Sequence, residues 1–180
     1  VPKLLAICGS LRRASYNRVI AHALPALAPA GVAIEIFEGL GDFPLYDGDV
    51  EAAGMPAPVT ALAARIAAAD GVIIVTPEYN YSMPGVLKNG IDWLSRLKPQ
   101  PLAGKPVAIQ TASMGAMGGV RCQHHLRQTL VALEARVLNK PEIMVGQAQN
   151  KLSADAITDE PTRGLIAKQL AVFAEFVRKG

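Results

Sequence analysis

Five short, almost wholly apolar runs divide the chain, and a stretch with helical spacing follows each of them. The clearest run, Gly71-Val-Ile-Ile-Val-Thr76, is β-branched and uncharged, which places it at the centre of a sheet. Leu4 to Cys8 is continuous rather than alternating in its apolarity, the mark of a strand covered on both faces. Val32 to Phe37, Val107 to Thr111, and a broken last strand made of Val137-Leu138 and Glu142 to Val145 complete the series. The helical stretches are Asn17 to Ala28, capped from Ser15 or Asn17, then Val59 to Ala69, Pro84 to Leu97, Val120 to Glu134 and Thr162 to Arg178. Pro84 stands at the first helical position of its segment. Gly39 to Pro58 carries Gly-Asp, Phe-Pro and Asp-Gly-Asp with further prolines, and it reads as a long surface connection without helix or strand. Strand then helix, five times over, requires parallel strands with right-handed crossovers, hence an open α/β sheet between two helix layers. A chain of 180 residues holds one such core, so residues 1–180 are expected to form a single domain.

Composition removes several classes of function. At 51% apolar and 18% charged residues, the chain has the makings of a packed core rather than of a disordered tail. The net charge of +3 arises from eighteen basic residues interleaved with fifteen acidic ones, with no basic stripe for a nucleic acid. No run approaches the roughly eighteen uncharged apolar residues of a membrane span. The first apolar run breaks at Gly9, too early for a secretory leader, so a cytoplasmic location without membrane insertion is expected. Cys8 and Cys122 form no Cys-x-x-Cys pair and suit reduced thiols in that compartment. His124 and His125 are neighbours that diverge on a helix, so no metal site is expected.

In a sheet of this kind ligands bind beyond the carboxyl ends of the strands, and three segments meet there. Gly9-Ser-Leu-Arg-Arg-Ala-Ser-Tyr-Asn17 offers hydroxyls, an amide and a guanidinium just before a helix start, the groups that hold a phosphate. It matches neither Gly-x-x-x-x-Gly-Lys-Ser/Thr nor Gly-x-Gly-x-x-Gly, which disfavours nucleoside triphosphate hydrolysis and a dinucleotide fold. Pro77-Glu-Tyr-Asn-Tyr-Ser82 could satisfy the heteroatom edge of a planar ring and cover its face. Ser113-Met-Gly-Ala-Met-Gly-Gly119 could bring backbone close to that ring. Each segment alone also fits a ligand-free role, as a capped helix start, a packed amphipathic turn or a tight strand-to-helix turn. Together they suit a flavin, with its phosphate at one end and a flat heterocycle at the other.

The chain resembles the NADPH-dependent FMN reductase family, the flavodoxin-like quinone, azo-dye and chromate reductases. The resemblance spans essentially all 180 residues and rests on Gly9-Ser-Leu-Arg-x-x-Ser-x-Asn17, Pro77-Glu-Tyr-Asn-x-Ser-x-Pro-Gly-x-Leu-Lys-Asn-x-Ile-Asp-Trp93 and Ser113-x-Gly-x-x-Gly-Gly119. It implies a three-layer sandwich with a five-stranded parallel sheet of order 2-1-3-4-5. It also implies non-covalent FMN, with Ser10, Arg12, Ser15 and Asn17 around the phosphate, Pro77, Glu78, Tyr79 and Asn80 beside the isoalloxazine, and Ser113 and Gly115 near its other side. NADPH or NADH is then the electron donor. Hydride chemistry resides on the flavin N5, with no catalytic acid or nucleophile in the protein. Glu78 is expected to hold the turn or a partner subunit rather than to act as a base. Arg12 faces the FMN phosphate in preference to NADPH or solvent.

The same resemblance implies quinones as acceptors and allows chromate, azo and nitro compounds, and the lack of another redox centre in the sequence makes alternating, ping-pong occupancy of the flavin face the expected order. Phe43, Leu45 or Tyr46 of the long connection would border the acceptor. The helix carrying Trp93 and Leu94 is expected either to fill the monomer core or to pair in a homodimer, with a homotetramer as the larger assembly. Two other readings use the same fold, an FMN-binding electron carrier and a non-catalytic ligand-binding protein.

Overall fold

The computed structural model describes residues 1–180. Lys3–Cys8 (β1), Ala33–Phe37 (β2), Gly71–Thr76 (β3), Pro106–Ala112 (β4) and Arg136–Val137 (β5) form a parallel sheet in the order β2-β1-β3-β4-β5. Ile143–Val145 (β6) also pairs with β4, against Gln110 to Ala112, whereas β5 lies against Pro106 and Val107. The expected broken strand is therefore two pieces of one sheet edge. Pro141, which has no N–H to give, stands between them.

Six α-helices flank the sheet: Tyr16–Leu27 (α1), Gly48–Ala53 (α2), Ala57–Ala68 (α3), Gly85–Ser95 (α4), Val120–Ala132 (α5) and Glu160–Arg178 (α6). Leu4, Ala6, Cys8, Ile73, Val75 and Ala108 pack with residues of α1 and α6 on one face. Leu5, Ile7, Val72, Ile74, Val107 and Ile109 pack with residues of α3, α4 and α5 on the other. Alternate residues of each strand thus serve opposite layers, which explains why the strands are apolar throughout. Burying a side chain such as Trp93 or Phe173 contributes on the order of 2–3 kcal/mol to each layer.

Several expectations are corrected at element ends. Gly39 to Pro58 is not free of helix: Gly39–Asp42 forms a 3₁₀ turn, and Gly48–Ala53 is a helix capped by Asp47, whose carboxylate accepts the Asp49 N–H at 2.9 Å. The turn-forming Asp-Gly-Asp is here a helix start, because Asp is as good a cap as it is a turn former. Phe43 is not a pocket wall; its side chain is buried in the core with Phe37, Leu40 and Leu87. Pro84 sits at the cap position of α4 rather than inside it. The last helix starts two residues before Thr162, where Asp159 accepts both the N–H and the hydroxyl of Thr162. Trp93 and Leu94 are buried within the chain, which assigns them to its own core rather than to a helix-pairing surface.

Candidate functional site

The chain leaves β1 toward β2 on one side and returns as β3 on the other, so the loops after β1 and β3 diverge and leave a crevice at the carboxyl edge of the sheet. The two loops are joined at their roots. Gly9 N–H donates to the Val75 carbonyl at 2.8 Å, and a Cβ at Gly9 would collide with the Thr76 side chain. Beyond Gly9, Ser10 and Ser15 are nearly buried, and their hydroxyls bond no protein atom. Ser15 occupies the α1 cap position without a side-chain capping bond, so its oxygen remains open to a ligand. The amides of Tyr16, Asn17 and Arg18 have no acceptor within the helix, and no acid stands in its first turn. Arg18 pairs with Glu38 at 2.7 Å, while Arg12 lies over the Tyr16 ring at 5.8 Å and has no carboxylate in ion-pair range. Hydroxyls, free amides and an uncommitted guanidinium around a helix start form an anion cradle.

Asn17 has a more specific task in this geometry. Its amide nitrogen donates to the Ala112 carbonyl at 3.0 Å, and its oxygen accepts the Ala112 N–H at 2.9 Å. The pair ties the anion loop to the end of β4, so any bond from Asn17 to a phosphate comes from its backbone.

After β3, Tyr79 and Ser82 exchange both backbone hydrogen bonds, at 2.9 and 3.0 Å. The residues between them, Asn80 (φ 49) and Tyr81 (φ 68), both lie in the left-handed region. This is the two-residue turn of type I′, in which Asn is at home; a Tyr in left-handed backbone costs about 1–2 kcal/mol. Asn80 and the rings of Tyr79 and Tyr81 are exposed at the edge. Glu78 points the other way, and its carboxylate accepts the Cys122 N–H at 2.9 Å in the first turn of α5. Burial, and then the Glu78 charge, push the Cys122 thiol up to about 12, so it stays protonated and lies 3.5 Å from the Pro77 carbonyl. This contact ties the loop after β3 to α5.

The loop after β4 separates two kinds of glycine. Gly118 (φ 60) and Gly119 (φ 90) are left-handed, and a Cβ on them would meet Met144 backbone at 2.6 Å and the Thr111 side chain at 2.7 Å. These two serve the fold. Gly115 is exposed, and a Cβ there would meet only Ser113 Oγ at 3.8 Å. Its open side is a place where a planar ligand could approach backbone.

Around these loops lies most of the exposed large apolar surface: Leu11 after β1, Leu45, Tyr46 and Val50 after β2, Tyr79 and Tyr81 after β3, Met114 and Met117 after β4. The segment after β2 is fastened to α4. Asn89 Nδ2 and Trp93 Nε1, one helical turn apart, both donate to the Pro44 carbonyl, at 2.9 and 2.8 Å, and Asn89 Oδ1 accepts the Tyr46 N–H at 2.8 Å. Spacing could have flagged Asn89 and Trp93 as one face of a helix, but not the carbonyl they share. A cavity of ≈ 630 Å³ lies at the opposite edge of the sheet beside Val1, Asp70 and Arg136. Arg136 and Arg178 line it, but no hydroxyl, helix start or aromatic ring lines it with them.

Comparison with known proteins agrees with this geometry. Residues 2–150 match the pattern of the NADPH-dependent FMN reductase family. A quinone reductase of Escherichia coli (strain K12) is 53% identical over 180 residues, covering 98% of this chain and 96% of that protein. An NAD(P)H-dependent FMN reductase of Pseudomonas aeruginosa is 48% identical over 178 residues, with 98% and 96% covered. Among solved structures, a flavoenzyme NAD(P)H:(acceptor) oxidoreductase from Paracoccus denitrificans superposes with a TM-score of 0.88 at 32% identity, covering 99% of this chain and 98% of that one. The parallel sheet of order 2-1-3-4-5 between two helix layers is thus a flavodoxin-like fold, and the chain belongs to the NADPH-dependent FMN reductase family.

Proposed function

We propose that the chain is an NAD(P)H-dependent quinone reductase. The observation that carries this reading is the pairing of an uncommitted anion cradle with an apolar, aromatic rim at the same edge of the sheet. The residues fit FMN: Ser10, Ser15, Arg12 and the first amides of α1 would hold its phosphate. Pro77, Glu78, Tyr79, Asn80, Ser113 and Gly115 would surround the ring. FMN, when bound there, would supply the two-electron redox chemistry between a reduced nicotinamide and an acceptor. The protein's part is to orient and to exclude water. Tyr79, Tyr81, Met114 and Met117 offer a flat apolar border on which a nicotinamide or a quinone ring can stack. Glu78 accepts the Cys122 N–H, which directs its carboxylate toward α5.

A single border for two planar substrates supports a ping-pong order, in which each would occupy it in turn. The similarity to the quinone reductase of Escherichia coli supports a quinone as acceptor. Chromate, azo and nitro compounds are further acceptors that an open, partly cationic edge would admit. A homodimer, with a homotetramer as the larger assembly, would cover the exposed apolar loops. Anaerobic mixing of the FMN-loaded protein with NADPH or NADH, without acceptor, tests the central claim. Loss of oxidised-flavin absorbance, restored on adding a benzoquinone, is expected. A flavin that bleaches only when quinone is already present rejects the ping-pong order, and one that never bleaches rejects the reductase.

A further inference from the structure

The turn from Tyr79 to Ser82 keeps Asn80 and the bulky Tyr81 in left-handed backbone, and for Tyr81 that shape persists only where neighbours over-determine it. The neighbour is the amino-terminal part of α5. Just before the strained pair, Glu78 accepts the Cys122 N–H at 2.9 Å. Within the pair, the Tyr81 ring carries the Arg121 guanidinium, 4.1 Å from its centroid. Just after it, Ser82 Oγ meets His125 Nδ1 at 3.2 Å. Arg121 and His125 lie one helical turn apart and share a face. No carboxylate lies within ion-pair range of Arg121, and α5 has no acid in its first turn, so nothing competes with the Tyr81 ring for the guanidinium.

We propose that Arg121 and His125 are positioning residues for FMN, acting through the Asn80–Tyr81 turn; this rests on the FMN reading above. Their side chains are exposed, so each contact contributes little to the stability of the chain as a whole. What they fix is the direction in which the turn presents Asn80 and its backbone amides. His124, exposed beside them, makes no hydrogen bond with the turn and serves as the control.

The test titrates FMN-free protein with FMN, following flavin fluorescence, and records the thermal midpoint of the same FMN-free protein. Arg121→Ala, His125→Ala and Ser82→Ala are each expected to weaken FMN binding by about three- to tenfold, with the midpoint unchanged. Ser82→Ala combined with His125→Ala should lose no more than either alone, because both remove one link. His125→Gln, whose amide can donate to or accept from Ser82 Oγ, should recover affinity, and His124→Ala should match the native chain. Unchanged affinity in Arg121→Ala and His125→Ala, additive losses in the double variant, or losses that track a lowered midpoint would overturn the proposal. If the native chain itself takes up no FMN, the underlying reading falls, and this one with it.

Discussion

The loop Ser113 to Gly119 spends its glycines on different tasks, and the difference is measurable. Gly118 is left-handed, and a Cβ would stand 2.6 Å from Met144 backbone, so neither strain nor clash can relax cheaply. Gly118→Ala should cost roughly 2–4 kcal/mol, read as a lowered urea midpoint. Gly115→Ala meets only Ser113 Oγ at 3.8 Å, so FMN-free protein should keep its stability within about 0.5 kcal/mol. Its FMN affinity should nonetheless fall, since the added methyl occupies the open side of the loop. Equal FMN affinity in Gly115→Ala and the native chain would remove Gly115 from the site. Cys122 gives a second residue-level outcome. Its thiol is raised from an ordinary 9.0 to about 12 in the folded chain, so folding favours the protonated form. The contribution is fully present below about pH 9 and is lost as pH rises through about 12, at up to about 1.4 kcal/mol per pH unit. Native protein should therefore resist alkylation at pH 9 while urea-unfolded protein reacts, and rapid labelling of native Cys122 at that pH would contradict the burial argument.

At the scale of elements, the carboxyl edge of the sheet is held by long-range side-chain-to-backbone bonds. Asn17 satisfies both the N–H and the C=O of Ala112 from a position 95 residues away. Asn17→Ala leaves both groups buried and unpaired, and should cost about 2–4 kcal/mol. The check is a urea midpoint that falls while the slope of the transition stays constant. The same bonds explain what the sequence could reveal. Strands buried on both faces announce themselves through unbroken apolar runs, and the order of strands and helices then leaves few topologies. The anion loop was legible too, because hydroxyls, Arg12 and a helix start are neighbours in the chain. The task of Glu78 was only half legible, since its partner, the Cys122 amide, is 44 residues away. The short α2 was hidden for a related reason. Asp47-Gly48-Asp49 reads locally as a turn, and the segment is tied to Arg96, the residue just after α4, whose Nε reaches Glu51 at 3.0 Å. Phe43 misled in the opposite sense, as an aromatic in a Pro- and Gly-rich stretch that packs inward.

For the whole molecule, the two sheet faces are closed by helices, but the carboxyl edge is not. Its loops leave Leu11, Leu45, Tyr79, Tyr81, Met114 and Met117 in solvent around the site, a concentration of apolar surface that marks a binding face. Water over that face would oppose stacking of an apolar acceptor. A second copy of the chain, laid over the edge, would remove this water and complete the wall. Leu45 is the most exposed of these side chains, at 82%, and stands on the segment fastened to α4 by Asn89 and Trp93. Leu45→Asp should therefore leave the fold of each chain intact, as it removes no packed atom. It should shift sedimentation toward the monomer and raise the KM for quinone more than it changes FMN affinity, because the anion cradle belongs to one chain. A native protein that sediments as a monomer at assay concentration and turns over at full rate would show that one chain excludes water unaided, and the requirement for a partner would be withdrawn.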